Sequence, residues 1–143
     1  MFVFGMLNVR FERKTAYGFV KDAVDVFEGK HPGYVSGSLL GFLTGSDVRT
    51  GANPDEGAVI VRGVHIPDQR VTAWHGVYDE SVRDQARQFA DVEELAGIVI
   101  YRPGNSMLVE SDMEKRARED FAEQGWPAWS LMVNKDSDFA FNL

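Results

Sequence analysis

The run Ala96-Gly97-Ile98-Val99-Ile100-Tyr101 has no polar alternation. Successive side chains of a strand point to opposite faces, so a strand of this composition can face water on neither side. It reads as a buried strand over 96–102, and Arg102-Pro103-Gly104 punctuates its end. With the strands and helical stripes elsewhere in the chain, the fold class is α/β.

The rest of the chain supplies the cover. Leu7, Val9 and Phe11 alternate with Asn8, Arg10 and Glu12, which marks a half-buried strand. Ala16, Phe19, Val20, Ala23, Val24 and Phe27 recur at helical spacing, and Gly29 followed by Pro32-Gly33 ends that helix. A strand over 34–44 and another over 58–66 follow, joined by a polar loop from Gly45 to Gly57. After an irregular segment from Pro67 to Tyr78, a helix beginning near Asp79 places Val82, Ala86, Phe89 and Ala90 on one face. Ser111 and Glu114 have the spacing of a capping box ahead of Ala117 and Phe121, with Gly125 and Pro127 as the stop. Two short strands, 130–134 and 138–143, flank the turn Lys135-Asp136-Ser137. There is no internal repeat.

With 143 residues the chain fits a single domain spanning 1–143. A formal net charge of -7 argues against phosphate-backbone binding, so nucleic acid is not an expected partner. The absence of cysteine excludes disulfides and thiolate metal sites, and it fits a reducing compartment. The apolar opening Met1 to Arg10 is too short to span a membrane and lacks the basic start of a signal peptide. It reads as an edge or core strand of a cytoplasmic protein, with no membrane partner.

Gly97, Pro103, Gly104 and Asp112 stand in the register of a zinc-hydrolase signature, Gly-Trp-Tyr-His-x-His-Pro-Gly followed by Ser-x-x-Asp. The chain thereby resembles the MPN (JAMM) family, and the resemblance covers nearly its whole length. Gly37-Ser38-Leu39-Leu40-Gly41 is similar to the family's Gly-x-Leu-x-Gly strand, and the order of elements is also that of the MPN fold. The resemblance implies an MPN-like (cytidine deaminase-like) mixed sheet flanked by helices. It also implies lost chemistry: the histidine ligands fall on Ile100 and Arg102, the serine on Val109, and the general-base glutamate on Tyr34. Isoleucine has no lone pair to give zinc, and arginine presents only donors and a positive charge. A phenol with an ordinary pKa of about 10 is a poor base at neutral pH. Asp112, the remaining ligand-set residue, is favoured as a helix first-turn acid whether or not it binds metal.

The resemblance therefore implies a non-catalytic member, a pseudoenzyme with no zinc and no cofactor, serving as a protein-protein interaction or scaffold module. Family members of this kind assemble in the proteasome lid, the signalosome and translation initiation complexes, often through helices. Those subunits carry helices beyond the core, whereas this sequence stops at Leu143. A homodimer, or a heterodimer with another MPN protein, is the expected partner arrangement, with the amphipathic helices 16–27 and 111–124 as pairing surfaces. Tyr34, Ile100, Arg102 and Asp112 are expected to converge, with Arg102 available to pair with Asp112 in place of the metal charge. The alternative is a hydrolase or anionic-ligand-binding protein that uses Tyr34, Arg102 and Asp112 in the altered cleft.

Other chemistry has less support. His31, His65 and His75 form no His-x-His or His-x-x-x-His pair. There is neither a Gly-x-Ser-x-Gly elbow nor a P-loop. Trp126 and Trp129, around Pro127, are expected in core packing at the helix-to-strand corner.

Overall fold

A computed structural model describes residues 2–4, 7–47, 58–68, 70–73, 80–92, 94–104 and 107–143. In chain order the elements are β1 (Phe2–Phe4), β2 (Leu7–Phe11), α1 (Ala16–Lys30), β3 (Ser38–Asp47), β4 (Ala58–His65), β5 (Thr72–Ala73), α2 (Ser81–Val92), β6 (Leu95–Arg102), α3 (Asp112–Glu123), β7 (Ser130–Asn134) and β8 (Phe139–Asn142). The strands make one mixed sheet in the order β1-β2-β4-β3-β6-β7-β8, with β5 added beside β3. The β2/β4 and β6/β7 pairs are parallel, and β3 runs antiparallel to both β4 and β6.

The uninterrupted apolar run is indeed central. Val99 and Tyr101 enter a core under α1 with Phe19, Val20 and Phe27, whereas Ile98 and Ile100 enter a second core under α2 and α3 with Phe89, Ala117 and Phe121. Each helix spends its apolar stripe on the sheet: Ala16, Phe19, Val20, Ala23, Val24 and Phe27 of α1 are buried, as are Met113, Ala117 and Phe121 of α3. No described helix is long and apolar enough to cross a membrane.

The capping box at the start of α3 is complete. The Glu114 amide donates to Ser111 Oγ at 3.2 Å, and the Ser111 amide donates to Glu114 Oε1 at 2.7 Å, which satisfies two otherwise orphaned donors. At the other end of that helix Trp126 packs edge-on against Phe121. Trp129 is fully buried, and its indole N–H donates to the Ala96 carbonyl at 2.6 Å. Both tryptophans thus serve the corner packing expected of them. Gly97 is the other half of that contact, because a Cβ there would stand 2.7 Å from the indole Cε2.

Three boundaries depart from the sequence reading. Helix α1 passes through Gly29 to Lys30, and His31 caps it by donating its amide to the Phe27 carbonyl at 2.9 Å. Strand β3 begins at Ser38 and not at Tyr34, because Gly33 and Gly37 both adopt positive φ and turn the intervening segment. It also continues past Gly45 to Asp47, so the glycine read as opening a loop is in the sheet. The pairing of β3 with β4 shifts register between Thr44 and Gly45, which makes Gly45 part of a bulge. Residues 48–57, most of the expected loop, lie outside the described residues, as do Asp79 and His75.

Candidate functional site

The antiparallel pairing of β3 and β6 sets Leu39 opposite Tyr101 and brings Ser38 to the end of β6 beside Arg102. Arg102 lies one residue past Tyr101 and so projects toward the α3 side of the sheet. Every nitrogen of its guanidinium is engaged. Nε donates to Ser38 Oγ at 3.3 Å, Nη1 donates to the Met107 carbonyl at 2.9 Å, and Nη2 donates to Glu114 Oε1. The Glu114 side chain is 1% exposed and that of Arg102 15%. The carboxylate that caps α3 is therefore also the counter-ion of Arg102, and one oxygen joins β6, the segment preceding α3 and α3 itself. Its other oxygen, Oε2, is buried with no hydrogen-bond partner.

This arrangement corrects the expectation that Arg102 faces Asp112. Asp112 is exposed at the first position of α3. Residues two apart on a helix point about 200° apart, so Glu114 and Asp112 cannot both face Arg102. Ile100 is fully buried in the core under α2 and α3. Val109 is exposed. Tyr34 packs at the edge of the opposite core, under α1, and the Arg70 guanidinium lies 5.2 Å from its ring centroid. The five positions thus fall into different surroundings: Arg102 is bound to the start of α3, Ile100 is in the core beneath it, and Tyr34 packs with the α1 side.

Tyr34 instead lines a cleft of about 490 Å³ with Glu28, His31, Tyr101, Gly104 and Lys135. The end of α1, the Pro32-Gly33 turn and the end of β6 form its walls, and the Lys135 amide donates to the Gly104 carbonyl at 3.0 Å across its rim. Tyr101 donates to Glu28 Oε1 at 3.3 Å and stacks on Phe27 at 5.2 Å between ring centroids. Burial first, and then the Glu28 charge, push the Tyr101 phenol up to about 12. Burial likewise raises Tyr34 above the ordinary phenol value, against smaller opposing effects of Ser36 and Arg70. His31 is held below its usual value by burial, then by Arg70 and Lys30. Both phenols remain protonated at neutral pH, so Tyr34 is a hydrogen-bonding group there and not a base.

The trio Tyr34, Arg102 and Asp112 accordingly does not act as one unit. Arg102 is committed to the protein and absent from the cleft lining. His65 stacks on Phe89 at 4.6 Å between ring centroids. Among the described residues no three His, Cys, Asp or Glu side chains converge. Glu28, Tyr101, Glu114 and Lys135 escaped the sequence reading as site residues. Only Glu114 carried a local signal, the capping box, which gave no hint of Arg102.

Comparison of the chain with protein-family models and with curated proteins gives no significant match.

Proposed function

We propose that this chain is an MPN-like domain without the family's metalloprotease chemistry, working as a protein-interaction module. The observation that carries the reading is the employment of the two histidine positions: Ile100 packs in the core, and Arg102 closes an ion pair with the helix start that follows. Both have become structural. The motif spacing and the adjacency of β3 and β6 agree with the same reading.

The interaction surface is not the helix stripes, which are buried in the domain's own cores. Large apolar side chains are exposed instead in the turn after α1, Val35 (83%), and in the segment between β6 and α3, Met107 (79%) and Val109 (60%). Val35 lines the cleft beside Pro103 and Gly104, and Arg102 grips the Met107 carbonyl and so fixes that segment. Exposed apolar side chains of this kind suit a second MPN-like domain, either another copy of this chain or a relative.

Sedimentation equilibrium at high micromolar concentration is expected to reveal self-association. The double substitution Val35→Asp and Met107→Asp is expected to weaken it more than about tenfold, since each side chain removes apolar burial of roughly 1.5–3 kcal/mol. A wild-type monomer would eliminate the homodimer, and association untouched by the double substitution would eliminate this surface.

A further inference from the structure

The cleft lining is electrically balanced, with Glu28 as its acid and Lys135 as its base. They come from different elements, Glu28 from the last turn of α1 and Lys135 from the residue after β7. Among the described residues no salt bridge joins them, and neither is paired with another charge. Both are held in place. The Tyr101 hydroxyl donates to Glu28 Oε1 at 3.3 Å, and the Lys135 amide donates to the Gly104 carbonyl at 3.0 Å. Lys135 is exposed and Glu28 half-buried, so both charges are presented at the surface. The whole chain carries a net charge of -7, so two copies repel over most of their surface. A neutral patch with one acid and one base is where they can meet at least cost. A two-fold contact brings residue i of one copy to residue j of the other, and j to i, so such a patch is complementary to itself.

We propose that the mouth of this cleft is the contact between two copies of the chain, related by a two-fold axis, with Lys135 of each copy paired to Glu28 of the other. The proposal rests on the interaction-module reading and narrows its partner to a second copy. Val35 lines the same cleft and is exposed, so it supplies apolar burial beside the charge pairs. Each pair between partly exposed groups contributes little alone, but the symmetry makes two of them and fixes the register of the contact.

The test is sedimentation equilibrium of the full chain at low ionic strength, on wild type, Lys135→Glu and Glu28→Lys, with circular dichroism to establish folding. Each variant alone is expected to associate about tenfold more weakly or worse, because both attractive pairs become repulsive. An equimolar mixture of the two variants is expected to associate as wild type does, since every acid at the contact then faces a base again. Lys135 is exposed, so its substitution leaves the fold intact. Should Glu28→Lys fail to fold, Glu28→Gln keeps an acceptor for Tyr101 and is expected to weaken association about threefold. A wild-type monomer would overturn the second copy while leaving a relative as the module's partner. Association unchanged in Lys135→Glu, or a mixture no stronger than its components, would overturn the pairing. Val35→Asp with Met107→Asp reads the apolar surface separately, so the two failures are told apart.

Discussion

Glu114→Ala is expected to destabilise the domain by about 3–5 kcal/mol, the effect of leaving one member of a buried ion pair without its partner. The Arg102 side chain is only 15% exposed, so water cannot readily replace the lost carboxylate. The same substitution removes the acceptor for the Ser111 amide and undoes half of the capping box. Arg102→Met combined with Glu114→Leu should recover most of the loss, because replacing both charges with apolar groups removes the uncompensated desolvation. Urea denaturation of the single and double variants measures this directly. A single variant within about 1 kcal/mol of wild type would mean that the pair is solvated and is not a structural replacement for anything.

The second large effect is expected at Gly45→Ala. A Cβ at this position would lie 1.9 Å from the Ile60 carbonyl oxygen and 3.1 Å from the Val61 Cα. Both are backbone atoms, so no side chain can swing aside. Relief requires β3 and β4 to part at the bulge, and a loss of at least about 3 kcal/mol follows, at the upper end for overpacking. Thermal unfolding of the variant checks it. A melting temperature unchanged from wild type would contradict the bulge.

These two positions show where the sequence was legible. Periodicity located the helices because each stripe meets a single sheet face, and the unbroken 96–102 run declared a strand buried on both sides. Gly45 was misread because a glycine that leads a polar run looks like a loop. Only the register of β3 against β4 distinguishes a bulge. Tyr34 was misplaced on a strand because positive φ at Gly33 and Gly37 leaves no mark on the residues between them. Ser111 and Glu114 were read correctly as a helix start, yet the link from Glu114 to Arg102 joins elements that meet only through tertiary packing. The cleft was invisible for the same reason: Glu28, Tyr101 and Lys135 are remote in the chain and become neighbours only when β7 is laid parallel to β6 and α1 is packed across them.

The central claim is that Ile100 and Arg102, which fall at the histidine positions of the MPN resemblance, serve the fold, Ile100 in the core and Arg102 in the ion pair with Glu114. Zinc content per folded chain tests it most directly, measured on wild type and on Asp112→Ala, with circular dichroism to establish that both are folded. The account predicts no stoichiometric zinc in either, because a zinc site needs several convergent ligands. One zinc per wild-type chain, lost on Asp112→Ala, would contradict it.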